Sequence, residues 1–397
     1  MDARWKMGSG LGLVVLLAVS VSAGAWPVEG VQVAVLLDAT ELNNMGIVLQ
    51  SKGDLDGAIV QYREAIKLNP DLVEAHHNLG VALSAKGDYD GAIEQYRIVL
   101  RMKPDSADDH GDLGNALMAK GETDAAIASY RRALKLKPEH ASVHYNLAIA
   151  LREKGDLDGA ITEYREAIRL EPDNVNAHNN LGIALQVKQD LEGAILQYQE
   201  ALRLDPKHIS ANYNLGLALQ TKGDLPGAIV QYRIVIGLQP DHVRAHNNLG
   251  NALQTSGDLD GAIQAYRTVL ALQADHVKAR YNLGTALQAK GDLDGAIKEY
   301  REVLKADPNH IKASYNLGIA LQAKGDLDGA TEQFRTLVAL KGDYPDAHYA
   351  LGEVLRKKGS KTEAAAAYRR YLSLEQDTPE THERRTNAQT RLKELES

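Results

Sequence analysis

Cysteine is absent from this 397-residue chain. That excludes a disulfide framework, a thiolate zinc site and a cysteine nucleophile. Phenylalanine occurs once and tryptophan twice, so the 17 tyrosines carry nearly all the aromatic mass. Basic residues are not in excess either. Forty-five Lys and Arg stand against 53 Asp and Glu, a net charge of −8, which argues against a general binder of nucleic acid or of anionic membranes. Catalytic signatures are missing as well: there is no nucleophile elbow, P-loop, zinc-protease helix or dinucleotide fingerprint. The sequence therefore predicts no enzyme, no cofactor and no metal. An apolar fraction of 44% is that of a folded chain.

The N-terminus has the layout of a secretory leader over residues 1–25. Arg4 and Lys6 form a basic start, Leu11 to Val21 is an apolar run, and Ala23, Gly24 and Ala25 supply small residues for cleavage before Trp26. The run is shorter than the ~20 residues of a comfortable membrane span. The chain is expected to be exported, periplasmic or secreted, with an uncleaved N-terminal anchor as the alternative because Val31 to Leu37 is also apolar. Residues 26–38 read as a lead-in segment.

A 34-residue unit then repeats ten times over 39–378 with no insertion. Gly46, Gly80, Gly114, Ala148, Gly182, Gly216, Gly250, Gly284, Gly318 and Gly352 mark position 8 of each unit. A fixed period of this size belongs to a stacked array, not to a globular core. Leu at positions 7 and 11 with Ala at 3 and 10 make one apolar helical face, helix A. A Lys-Gly-Asp turn such as Lys52-Gly53-Asp54 ends it; Gly53 is a candidate left-handed terminus, and Asp54 or Asp56 a candidate cap for the next helix. Helix B carries Ala at 20, an aromatic at 24 (Tyr62 through Tyr368, with Phe334 in the ninth unit) and Pro at 32, which stops it. The helix-A glycine costs ~1 kcal/mol against alanine, and the offset expected is close approach of helices A and B. Residues 379–397 read as a polar capping helix with a thin apolar seam of Ala388, Leu392 and Leu395, begun by Thr378 and Pro379 and running to about Glu396.

These columns resemble the tetratricopeptide repeat (TPR) family. The His-Asn-Asn-Leu-Gly runs at His178 to Gly182 and His246 to Gly250 are most similar to the TPR region of O-linked N-acetylglucosamine transferase, without its catalytic domain. The resemblance implies an all-α, right-handed superhelical solenoid of ten helix-turn-helix units that binds extended peptide segments in a concave groove. It departs from the family where His replaces Trp at position 4 and Leu replaces Tyr at position 11.

The candidate site is a set of polar columns. Position 6 is Asn44, Asn78, Asn146, Asn180, Asn214, Asn248, Asn282 and Asn316, broken by Asp112 and Ala350. Asparagine is a poor helix former, so the column needs a reason. A carboxamide can hold the N–H and C=O of an extended peptide. In the transferase resemblance this ladder grips the target's backbone; the alternative is that it bonds to the adjacent repeat and only sets the superhelix. Tyr145, Tyr213, Tyr281, Tyr315 and Tyr349 at position 5 would add contact area. Position 2 becomes basic at Arg244, Lys278 and Lys312, so acidic segments are expected to favour repeats 7–9.

Eleven of the 13 histidines fall in two columns, position 4 and position 34, which points to packing and turn contacts; only His77 and His382 stand outside. Asp105, Asp108, Asp109 and Asp112 lack calcium-loop spacing and read as a solvated acidic patch. The expected function is a non-catalytic protein–protein interaction scaffold, in the bacterial cell envelope. A regulatory or targeting subunit of an enzyme such as a glycosyltransferase, and a self-assembling structural element, are the alternatives. The partner is a protein or extended peptide, not nucleic acid.

Overall fold

The computed structural model describes residues 37–397; the leader at 1–25 and most of the lead-in lie outside the described residues. It is all-α, with 21 helices in paired helix-turn-helix units and a terminal cap. The first four hairpins are α1 (Ala39–Ser51) with α2 (Leu55–Leu68), α3 (Val73–Lys86) with α4 (Tyr89–Met102), α5 (Ala107–Lys120) with α6 (Thr123–Leu136), and α7 (Ala141–Lys154) with α8 (Leu157–Leu170). Next come α9 (Val175–Val187), α10 (Leu191–Leu204), α11 (Ile209–Lys222), α12 (Leu225–Leu238), α13 (Val243–Ser256), α14 (Leu259–Leu272), α15 (Val277–Lys290) and α16 (Leu293–Ala306). The last are α17 (Ile311–Lys324), α18 (Leu327–Leu340), α19 (Pro345–Lys357), α20 (Lys361–Leu374) and α21 (His382–Glu396). Two compact units divide between Ala184 and Leu185, within α9. In each, a helix packs on the next in sequence, and A helices also touch the A helix of the neighbouring repeat, as in α1–α3–α5–α7 and α13–α15–α17–α19.

One contact explains the position-8 glycine. The position-24 ring of the same hairpin lies directly against it. A Cβ on Gly284 would sit 2.7 Å from a Tyr300 ring carbon, on Gly250 2.5 Å from Tyr266, and on Gly318 2.5 Å from Phe334. These rings are fully buried, as are the position-20 alanines beside them. The buried hydroxyl then needs a partner. Position 12 supplies it through Gln50 to Tyr62, Gln186 to Tyr198, Gln220 to Tyr232 and Gln288 to Tyr300, at 2.8–2.9 Å. Position 9 supplies it through Asn115 to Tyr130 and Asn251 to Tyr266. Repeat 4 is the exception. It carries Ala148 instead of glycine, Ile149 and Arg152 offer no acceptor, and the buried Tyr164 hydroxyl is left without a partner among the described residues. Burial pushes Tyr164 up to about 12.

The turns are equally regular. Gly53 and its counterparts end helix A with φ of 78–90°, the left-handed region. In repeat 5 the residue there is Gln189, held at φ 67° without glycine's freedom. Asp54, not Asp56, caps helix B, accepting from the Gly57 N–H at 2.9 Å; a Cβ on Gly57 would meet that carboxylate at 2.4 Å. Four of the five position-34 histidines cap the following helix A: the ring Nδ1 of His208, His242, His276 and His310 accepts from the backbone N–H three residues on, at 3.0–3.1 Å, whereas His140 faces Asp108 and Ser142 instead. Position-4 histidines fasten helix A to the preceding loop, with His76, His110, His144, His178, His246 and His348 each placing Nε2 2.8–3.0 Å from the carbonyl of the residue six before. His144 also places Nδ1 2.5 Å from Glu163 on α8, and that bond, with help from the Pro138 carbonyl, holds its imidazole above the usual range against burial.

Surface ion pairs add a contact between repeats that the columns do not announce. A lysine at position 14 reaches the acid at position 18 of the preceding repeat, as in Lys86–Asp56, Lys120–Asp90, Lys154–Asp124, Lys222–Glu192, Lys290–Asp260, Lys324–Asp294 and Lys358–Asp328. All are exposed, and exposed pairs of this kind add little to stability. The two columns fail together, at Pro226 and Ser256, and that joint failure is the signal of the pairing in the sequence.

The cap begins later than the sequence suggests. Thr378 to Thr381 closes a turn in which the carbonyl of Thr378 accepts from Thr381 and His382, so α21 starts at His382 and not at Pro379. Ala388 is fully buried, and Leu392 and Leu395 pack against the core of the second unit. Arg384 pairs with Asp346 on α19 and lies over the Tyr349 ring at 5.5 Å.

Three outcomes test these contacts. Gly284→Ala should lower stability by about 1–2 kcal/mol in urea unfolding, because displacement of Tyr300 outweighs the gain in helix propensity; a more stable variant would disprove the ring contact. Gln189→Gly should raise stability by ~1 kcal/mol, by relief of left-handed backbone. For His144, the folded pKa is raised, so the Glu163 pair stabilises fully below about pH 6.5 and its contribution is lost as pH rises through the folded pKa. Glu163→Gln should therefore destabilise more at pH 5.5 than at pH 9, and a pH-independent difference would contradict the pairing.

Candidate peptide-binding face

Because A helices lie side by side, their positions 2, 5, 6 and 9 form one face within each unit. The position-6 asparagines are mostly half-buried there, with Asn44 exposed in the first repeat. Six of them donate Nδ2 to the preceding repeat. Asn180, Asn248 and Asn316 reach the hydroxyls of Tyr145, Tyr213 and Tyr281 at 3.0–3.1 Å. Asn78 reaches Asn43 Oδ1, Asn146 reaches Asn115 Oδ1 and Asn282 reaches Asn251 Oδ1, at 2.8–2.9 Å. Asn115 and Asn251 thus accept twice, from the buried tyrosine of their own repeat and from the asparagine of the next. The ladder therefore ties neighbouring A helices together through one N–H of each carboxamide. A carboxamide carries two N–H groups and an oxygen, so one bond does not exhaust it. Asn214 is half-buried and also has a bonding partner.

The position-5 tyrosines share this double duty. Each packs on the position-24 ring of its own repeat, with centroids 6.0–6.1 Å apart for Tyr145, Tyr213, Tyr281, Tyr315 and Tyr349. Tyr213 and Tyr281 also stack on His242 and His310 at 5.1–5.2 Å. Tyr213 is only 7% exposed and offers little contact area, whereas Tyr281 and Tyr315 keep part of their rings at the surface. Tyr349 is partly covered by Arg384 of the cap.

Position 2 divides by charge and by pairing. Glu74 is paired with Lys103, Asp108 with His140 and Asp346 with Arg384. Arg244, Lys278 and Lys312 are exposed on α13, α15 and α17 and form no ion pair among the described residues; Arg244 rests over the Tyr213 ring at 5.1 Å. The structure places these three cations on successive A helices of the second unit, beside Asn248, Asn282, Asn316, Tyr281 and Tyr315.

The acidic run of repeat 3 is not the solvated patch its composition suggests. Asp105 and Asp108 are exposed, but Asp109 is 8% exposed and Asp112 half-buried. Asp109 sits at position 3, which packs on the preceding repeat, so the helix turns it inward. Its Oδ1 lies 2.6 Å from His77 Nδ1, and Ser106 also donates to it. Burial pushes the Asp109 carboxyl up, but these bonds outweigh it and leave it below the usual range. The same bond holds the His77 imidazole above its usual range, while burial pushes Asp112 up.

No helix among the described residues is long and apolar enough to cross a membrane. A tetratricopeptide repeat model matches residues 112–174, 213–273, 248–311 and 315–380, more than half of the chain. Related repeat models match 46–87, 187–223, 287–342 and 73–106. No enzyme domain was found, and nothing specific to the transferase's repeats. No curated protein matches the chain significantly. Among solved structures, the chain is similar to MamA at 30% identity, over 41% of this chain and 95% of that one, with a TM-score of 0.40. It is similar to YrrB, described as a TPR protein with an unusual peptide-binding site, at 24% identity over 47% and 96%, with a TM-score of 0.44. The C-terminal part of a TPR repeat-containing protein from Cytophaga hutchinsonii aligns at 18% identity over 60% and 98%, with a TM-score of 0.52, and shares the fold. Ten in-phase hairpins and a matching model over most of the array make this chain a member of the tetratricopeptide repeat family.

Proposed function

We propose that this protein is a non-catalytic scaffold that binds extended, acidic peptide segments on the A-helix face of repeats 7–9. TPR arrays serve protein–protein interaction; the choice of an acidic ligand rests on one observation. The acids at position 2 are internally paired, whereas Arg244, Lys278 and Lys312 project from successive helices with no anionic partner among the described residues. An acidic side chain arriving from outside would supply it, and charge-assisted bonds of this kind are the stronger ones. Backbone groups of the ligand would meet the carboxamides of Asn248, Asn282 and Asn316, with Tyr281 and Tyr315 adding apolar area. This use of the ladder is the one the likeness to the transferase's repeats suggests, and it is compatible with the inter-repeat bonds because each carboxamide has spare capacity.

The same reading takes the protein to work outside the cytoplasm, in the periplasm or secreted, on the strength of the basic start, apolar run and small-residue site at 1–25. Capping of α20 by the polar α21 speaks against growth of filaments from that end.

Fluorescence anisotropy with a labelled Asp- and Glu-rich peptide, and a neutral peptide of equal length, tests the assignment. Lys278→Glu with Lys312→Glu should weaken the acidic peptide by about 10-fold or more, in a salt-sensitive way, since each rim charge contributes ~1 kcal/mol. The neutral peptide should bind both forms alike. Unchanged affinity for the acidic peptide would reject the site.

A further inference from the structure

The seam between α3 and α5 departs from the repeat in three columns at once, and the three departures converge. Position 3, a fully buried alanine in repeats 2 and 5–10, is Asp109. Position 6, where six asparagines donate across to the preceding repeat, is Asp112, which has no hydrogen to donate once ionised and makes no hydrogen bond among the described residues. Facing both from the preceding repeat is His77 at position 5. The three side chains bring one imidazole nitrogen and two carboxylate oxygens within 4.8 Å of one another.

Charge makes the arrangement incomplete as it stands. Two carboxylates, one of them nine-tenths buried, face a single imidazole, and a protonated His77 offsets only one of them. A dication with neutral His77 would balance both. The donor set selects among dications: calcium and magnesium take all-oxygen shells of six or more ligands, whereas imidazole with carboxylate suits zinc and its neighbours. His77 and Asp112 are each partly exposed, so the set is open to an ion from solvent.

We propose that His77, Asp109 and Asp112 form a binding site for one divalent transition-metal ion, with Zn²⁺ the best match, bridging repeats 2 and 3. Zinc accepts four ligands, so three protein donors leave one position for water or for an acidic group of a bound partner. The ion would replace the inter-repeat asparagine bond that Asp112 cannot make. This site lies in the first unit and does not depend on the cationic face of repeats 7–9.

The test is titration of the full chain with Zn²⁺ alone, read by competition with a chromophoric chelator and by the shift of thermal unfolding. Wild type should bind one equivalent at micromolar or tighter concentration and melt at higher temperature with zinc. Asp112→Asn installs the carboxamide used in other repeats, so it should fold, yet lose zinc affinity by about 100-fold; His77→Gln should do the same. Asp105→Asn, outside the triad, should bind as wild type does. Absence of saturable binding in the wild type, or binding that survives both His77→Gln and Asp112→Asn, overturns the proposal. If Asp112→Asn alone failed to fold, the His77→Gln titration would decide the matter.

Discussion

Everything in this array depends on the approach of helix A to helix B, and that approach depends on a missing side chain. The position-24 ring occupies the volume where a position-8 Cβ would stand, at 2.4–2.9 Å in the hairpins of Gly46, Gly114, Gly250, Gly284 and Gly352. Burial of a full aromatic side chain contributes ~1.5–3 kcal/mol, more than the ~1 kcal/mol that glycine loses in a helix. Repeat 4 tolerates one methyl there: Ala148 stands in the column and Tyr164 keeps its burial, while its hydroxyl lacks a partner among the described residues because Ile149 and Arg152 offer no acceptor.

From the buried ring, a chain of hydrogen bonds leads outward. Tyr266 donates to Asn251, which also accepts from Asn282 of the next repeat. Core, seam and surface are therefore coupled in one network, as they are at Tyr130, Asn115 and Asn146. Such networks are costly when incomplete. That is why the substitutions at His77, Asp109 and Asp112, which break the network at one seam, carry chemical meaning, whereas changes on the outer helix faces need none.

Much of the fold is legible in the columns. Helix A starts at position 1 and helix B at position 17 in all ten repeats, because proline, glycine and aspartate punctuate the chain at fixed offsets. The histidine columns do make turn and packing contacts, as their periodicity implies, although their roles differ: position 34 caps a helix with Nδ1, and position 4 binds the preceding loop's carbonyl with Nε2. The start of α21 is not legible, because Thr378-Pro379 resembles a helix start while the backbone closes a separate turn first. The Lys–Asp surface pairs are legible only in the joint failure of their columns at Pro226 and Ser256, because each joins residues 30 apart on different repeats.

The sequence by itself determined the period, the hairpin and the contact surfaces of each unit, since these depend on residues at most 34 positions apart that recur in phase. Only the tertiary structure decided which polar side chains face solvent and which face a neighbour. Periodicity assigns a residue to a side of its helix, but it does not say whether the adjacent repeat will present a partner. For Asn248 it does, in Tyr213; for Lys278 and Lys312 it presents none among the described residues; and for Asp109 it presents His77. Pairing is a property of two repeats together, and that is why the candidate sites lie at the seams.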